Sequence, residues 1–366
     1  MFGLYFHIPF CDGKCNYCNF FSKQSTEAEM DLYTEHLDRA IRSWGERLDR
    51  TVDTVYFGGG TPSLLGHSRL IRILNAVKES FVLSNDTEIT LEVNPSSTNF
   101  LDFAALRNAG FNRLSVGLQS ANENELKILE RRHSLEDTDN TITAARRSGF
   151  ENISLDVILA IPGQTIESLH NTLDYCADRH VDHISAYILK IEPETRFYQE
   201  RDKLPFFEDD AQAAIYEEAV RCLDKLGYRQ YEISNFSKEG FQSRHNLIYW
   251  HDEEYLGLGP SAHSFIDGKR FYYDNSFDAF YSGAVLNEGA GGDKEEYIML
   301  ALRLTEGLHY ARYEERFKEP VSDRMIQAAQ ILSEKGFVKM SADSFSLTVN
   351  GFLVSNSVIG YLLQNS

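Results

Sequence analysis

Three thiols stand within eight residues of one another: Cys11, Cys15 and Cys18, spaced C-x3-C-x2-C in the segment HIPFCDGKCNYCNFFS. Thiolates this close along a chain can wrap one compact metal centre. Structural zinc would need a fourth ligand to close a tetrahedron. Cys176 and Cys222 are remote and only His7 lies close, so no fourth ligand is evident. A four-iron cubane held by three thiolates leaves one iron open for a ligand, and the spacing favours that reading. Cys176 and Cys222 fall in helical stretches and read as small buried hydrophobes.

Further residues with chemical potential recur where β-rich runs end. YFGGGTPS supplies Gly58, Gly59, Gly60 and Thr61, LEVNP supplies Glu92, SVGLQS supplies Gln119, and a later run carries Asp156. Consecutive glycines allow main-chain N–H groups to approach a ligand closely. No phosphate loop is intended, because the Lys-Ser/Thr that should follow is missing. Any one of these residues could cap a helix or sit in a solvated loop. Together, two carboxylates and an amide make acceptors for a cationic, hydroxyl-bearing ligand, and Arg131 in LERRHS could meet a carboxylate.

The elements that would position these groups alternate along the first half of the chain. The patterning predicts strands at Leu4 to Ile8, Val52 to Phe57, Glu88 to Val93, Arg113 to Leu118, Ile153 to Leu159 and His183 to Leu189. Helices are expected between them, among others over Glu27 to Trp44, Leu70 to Phe81, Asp137 to Ser148 and Glu167 to Arg179. Six strand–helix units are too few to close an eight-stranded barrel. The expected fold class is therefore α/β, a partial (β/α)6 TIM-like barrel open enough for a large ligand. We expect this barrel over residues 1–205, a helical and irregular extension over 206–290, and a small α+β domain over 291–366 whose helices and hairpin resemble a winged helix. From Lys294 to Ser366 eight Lys or Arg stand against nine Asp or Glu, so the tail lacks the basic footprint of a DNA-binding module.

The whole chain carries a net charge of -19, which repels nucleic-acid phosphates and anionic lipid surfaces. An odd cysteine count clustered at one spot is no secreted disulfide framework. The opening MFGLYFHIPFC has no signal-peptide pattern and no stretch approaches transmembrane length, so a cytoplasmic protein is expected, not an integral membrane one.

The cysteine triplet resembles the signature of radical S-adenosylmethionine (SAM) proteins. Y-x-H-I-P-F-C, G-G-G-T-P, E-x-N-P, S-x-G-x-Q-S and the D-x-I-x-x-x-P-x-Q run from Asp156 to Gln164 resemble the oxygen-independent coproporphyrinogen III oxidase-like branch. The resemblance implies a [4Fe-4S] cluster on Cys11, Cys15 and Cys18, whose open iron chelates the amino and carboxylate groups of SAM. Electron transfer would then cleave the sulfonium to a 5'-deoxyadenosyl radical. By position it places Tyr5, Tyr17, Gly59, Gly60, Thr61, Glu92, Gln119, Arg131 and Asp156 at or near SAM, with Arg131 and Asp156 also suited to a second SAM molecule. It further implies an electron donor and allows a cluster-dependent homodimer.

Within that branch two functions compete. The oxidase decarboxylates porphyrinogen propionates; a related heme chaperone binds heme and passes it to acceptor proteins. The oxidase pattern continues to a fourth cysteine after a long N-terminal extension, whereas here Phe20 holds that position and ten residues precede Cys11. The run H-N-x-x-Y-W, from His245 to Trp250, resembles the chaperone's heme motif. An imidazole can bind heme iron axially and Tyr249 and Trp250 offer flat apolar faces. His245 is thus the expected heme residue, with His251 and His263 as nearby competitors.

Overall fold

The computed structural model describes residues 1–366. Six parallel strands run side by side in chain order: β1 (Phe2–Ile8), β2 (Thr51–Gly59), β3 (Val82–Val93), β4 (Arg113–Gln119), β5 (Asn152–Leu159) and β6 (His183–Ile188). Helices cross over between them, including Glu27–Gly45, Gly66–Ser80, Leu135–Arg147 and Ile166–Asp178. Several start on side-chain caps. Thr26 and Glu29 form a reciprocal capping box, as do Ser134 and Asp137, satisfying the first free N–H groups of their helices.

The strands are two-faced, and this positions everything that follows. Leu4, Phe6 and Ile8 of β1, Val55 and Phe57 of β2, Leu114, Val116 and Leu118 of β4, and Ile153, Leu155, Val157 and Leu159 of β5 are buried in one continuous core. The residues between them are polar: Tyr5 and His7, Thr54 and Tyr56, Glu92, Arg113 and Ser115, Asp156, Ser185 and Tyr187. Side chains alternate across a strand, so the second set shares the inner face of the curled sheet. The register brings Glu92 beside Ser115 and Asp156 beside Ser185.

The expected irregular extension over 206–290 is corrected by the structure, because most of the sheet's additional strands come from it. After the helix Asp209–Lys225 come β7 (Arg229–Gln230), β8 (Asn235–Ser237), β9 (Glu254–Leu258), β10 (His263–Ile266), β11 (Lys269–Tyr272) and β12 (Leu286–Ala290). The twelve-stranded order is β12-β11-β10-β9-β1-β2-β3-β4-β5-β6-β8-β7. β9 pairs parallel with β1 while β8 pairs antiparallel with β6, so both edges of the six-stranded barrel are extended. These strands are two to five residues long, too short to show periodicity.

The last unit is winged-helix-like. Its order is helix Lys294–Ala301, β13 (Leu308–His309), helices Tyr310–Phe317 and Asp323–Glu334, then β14 (Val338–Met340) and β15 (Ser344–Leu347) in a small antiparallel sheet. Two short helices follow, Val349–Leu353 and Ser355–Leu363. Asp252, whose side chain is fully buried, ties this unit down: Arg316 donates to its Oδ2 at 2.6 Å and Arg270 to its Oδ1 at 3.2 Å. No helix is long and apolar enough to cross a membrane.

Candidate functional site

A cavity of about 420 Å³ opens inside the curled sheet. Cys11, Cys15 and Cys18 line it together with Tyr17, Gly59, Gly60, Thr61, Glu92, Gln119, Arg131 and Asp156. Residues chosen from five separate motifs therefore converge on one space. Tyr5 stands one layer back from the cavity: its ring stacks behind Tyr56 and its hydroxyl reaches His7 Nδ1 at 3.1 Å.

The cysteine loop follows β1 and is held from several sides. The Cys11 N–H donates to Lys23 O, the Asn16 amide donates to Ile128 O at 2.9 Å, and Arg132 donates to Asp12 O at 2.7 Å. The three thiols do not converge on a single-ion site. A cubane asks for something wider, because each thiolate binds a different iron. Thr61 Oγ1 donates toward Cys11 Sγ at 3.4 Å, and the Arg131 guanidinium lies 3.8 Å from Cys15 Sγ. Burial pushes the Cys18 thiol up, which holds it neutral until a cation stabilises its thiolate.

The glycines are there because nothing larger fits. Gly59 has φ +113°, and a Cβ on it would meet the His7 ring at 2.8 Å; a Cβ on Gly60 would meet the Phe10 carbonyl oxygen at 2.6 Å. That tight turn aims the Gly59 N–H at Glu92 Oε2, 3.1 Å away, while the Tyr56 hydroxyl donates to Oε1 at 2.8 Å. Glu92 is nevertheless pushed up to about 7, first by burial and then by the nearby Asp156. Ser115 donates to Asp156, whose carboxyl is also raised by burial. Gln119 has a left-handed φ of 68°, a strained backbone for a side chain of its size, and it ends β4 at the cavity wall.

The donor set fits the cofactors that the motifs imply. Three thiols, a cradle only glycine allows, two carboxyls sharing one buried space, and an Arg131 Nε with no partner are all present along this cavity.

His245 lies away from the cavity wall. It is 1% exposed and does not line the cavity. Its Nδ1 meets Thr54 Oγ1 at 2.7 Å and its Nε2 meets the Tyr249 hydroxyl at 2.8 Å, with Tyr56 stacked on its face. Neither nitrogen is free for heme iron in this structure. From the H-N-x-x-Y-W run it is Asn246 that reaches the cavity, and no histidine lines it. His251 and His263 pair with Glu306 and Glu288 elsewhere.

Sequence reasoning missed Tyr56, Arg113, Ser115, Ser185, Tyr187 and Asn246 as cavity residues. The signal was there: every second position of β4, namely Arg113, Ser115, Gly117 and Gln119, faces the cavity.

Comparison with known proteins agrees with this geometry. A model of the Radical SAM superfamily matches residues 5–176, and one of the HemN C-terminal domain matches residues 294–354. The chain is 32% identical to "Heme chaperone HemW" of Bacillus subtilis, over 98% of each chain. It is 35% identical to the HemW of Mycobacterium tuberculosis, over 99% of this chain and 95% of that one. This chain belongs to the HemW family of radical SAM proteins. Among solved structures, coproporphyrinogen III oxidase (HemN) from Escherichia coli covers 99% of this chain and 89% of its own, with a TM-score of 0.83 at 23% identity. That likeness shows a shared fold. In the HemW-family chain, Phe20 stands where the oxidase pattern carries its fourth cysteine; it is 60% exposed and lines the cavity.

Proposed function

We propose that this chain is a cytoplasmic heme chaperone, holding a [4Fe-4S] cluster on Cys11, Cys15 and Cys18, with SAM beside it and heme as its cargo for acceptor proteins. The observation that carries this reading is the near full-length similarity to proteins named heme chaperones. When bound, the cluster supplies an electron and an open iron for the SAM amino and carboxylate groups. The chain's own residues bind and orient. Gly59 and Gly60 make the tight turn that carries Thr61 to the cavity wall, Glu92 and Asp156 face a sulfonium or ribose hydroxyls, Tyr17, Thr61 and Gln119 line the same wall, and Arg131 neutralises charge near Cys15. The barrel wall and the cysteine loop together limit access of water to this space.

Residues 1–205 serve as the cofactor barrel, 206–290 as the segment that extends it and brings Asn246 to the cavity, and 291–366 as a packing module. An electron donor reduces the cluster, and a homodimer forms when it is loaded. Anaerobic reconstitution with iron and sulfide, followed by parallel hemin titration and a coproporphyrinogen III turnover assay, tests the proposal. Stoichiometric hemin binding without vinyl products supports it; SAM-dependent decarboxylation beside absent hemin binding would reverse it in favour of the oxidase.

A further inference from the structure

Arg113 opens β4 and points to the inner face of the sheet, where it lines the cavity with Ser115, Glu92 and Asp156. It is 2% exposed, among the largest fully buried side chains in the protein. Its guanidinium makes no hydrogen bond to any protein group and no ion pair within 4.0 Å, and its Nε is buried without a partner. Glu92 and Asp156 feel the Arg113 charge through space, but their hydrogen bonds go elsewhere: Glu92 accepts from Tyr56 and Gly59, and Asp156 accepts from Ser115. A buried cation without a partner is costly, and folded chains pair such groups or neutralise them. Arginine keeps its proton under ordinary conditions, so neutralisation is not open to it.

The missing partner is then an anion that arrives with a ligand. A planar fork of N–H donors suits a carboxylate best. SAM carries one carboxylate, but the cluster motif assigns that group to the open iron at the cysteine end. Arg113 and Gln119 stand at opposite ends of β4, six residues apart, or roughly 20 Å along an extended strand. With the first SAM carboxylate assigned to the cysteine end, Arg113 is open to a carboxylate of a further organic molecule, and the cargo of the function proposed above carries such groups as propionates.

We propose that Arg113 forms a carboxylate subsite at the floor of the cavity and that it receives a propionate of the bound tetrapyrrole. The inference rests on the heme-chaperone reading. It also explains why a buried arginine persists there with no protein partner, since a packed apolar residue would cost the free protein less.

The test uses the reconstituted full chain with three probes: hemin, hemin dimethyl ester in which both propionates are esterified, and SAM. Arg113→Met removes the charge at similar volume, and Arg113→Lys restores it without the fork. Wild type is expected to bind hemin more tightly than the ester. Arg113→Met should weaken hemin by about tenfold or more while leaving the ester and SAM within twofold, with Arg113→Lys in between. Equal losses for hemin and ester would make Arg113 a structural residue and overturn the subsite. A loss for SAM alone would assign the carboxylate to SAM and overturn it too. If wild type binds no hemin, the chaperone reading and this inference fall together; if wild type binds hemin and both variants match it, only the inference falls.

Discussion

His245 and Tyr249 are one helical turn apart and bonded to each other, Nε2 to hydroxyl at 2.8 Å, within the helix Arg244–Trp250. Thr54 on β2 completes the arrangement at Nδ1. The first and fifth positions of H-N-x-x-Y-W thus clamp the helix to the barrel floor and leave the second position, Asn246, facing the ligand space. Burial, followed by the positive Arg113, pulls the imidazole down to about 3, so it stays neutral and can both donate and accept.

From this arrangement His245→Ala is expected to destabilise the chain by about 2–4 kcal/mol, because it leaves two buried hydroxyls unpaired and a space under Tyr56. In the folded fraction, hemin affinity and the Soret position should match wild type. Chemical denaturation and a hemin titration check both halves. A folded variant with an altered Soret band would return His245 to the role of axial ligand.

The hydroxyl of Thr61 donates toward Cys11 Sγ, and hydrogen bonds to cluster sulfurs raise the reduction potential. Thr61→Val should therefore shift the reconstituted cluster to a more negative potential by roughly 50 mV, the one-electron equivalent of one net hydrogen bond. Anaerobic redox titration followed by electron paramagnetic resonance reads this directly. The Ala triple variant of Cys11, Cys15 and Cys18 should retain no cluster at all.

Glu92 makes stability depend on pH in a direction opposite to most carboxylates. Folded, it holds its proton up to about pH 7; unfolded, it loses it near the ordinary 4.5. Between those values the folded state carries the extra proton, so raising the pH costs stability, and the full cost is present above about pH 7. Glu92→Gln has no such proton to lose. Its stability relative to wild type should improve by up to about 3 kcal/mol on going from about pH 5 to pH 8. Urea midpoints at the two pH values measure it, and a flat difference would mean that Glu92 is ionised throughout.

Asp252 holds two arginines, Arg270 from β11 and Arg316 from the C-terminal unit, with its own side chain fully buried. Asp252→Ala leaves Arg270 with Glu296 alone and Arg316 with only the main-chain carbonyl of residue 252, and should cost about 1–3 kcal/mol. The loss should fall first on the contact between residues 294–366 and the sheet. Limited proteolysis of the variant, expected to release or nick that region before the barrel, is the check.

Much of the site could be read from the sequence because its motifs sit at strand ends and each residue type has a narrow use. Cys11, Cys15 and Cys18 could only be a metal-binding set, and Gly59, Glu92, Gln119, Arg131 and Asp156 all reach the cavity that strand order predicts. The parallel six-stranded barrel was equally legible, since strand–helix alternation leaves few other solutions. The extra strands from β7 to β12 were hidden by their shortness, and the first six residues of β3 by their polarity, VLSNDT.

What the sequence determined by itself was local: the thiol spacing, the glycine turn, the alternation of faces, and with these the barrel and its ligand class. What only the tertiary structure decided was which polar groups find partners within the protein. His245 and Arg113 are both buried polar residues, and neither the motif around the first nor the strand alternation around the second says whether it finds a partner. Folding brings Thr54 to the first, beside its helical neighbour Tyr249, and brings no hydrogen-bond partner to the second. Hydrogen bonding acts over about 3 Å, whereas the residues that satisfy or abandon each group lie on strands and helices far apart in the chain.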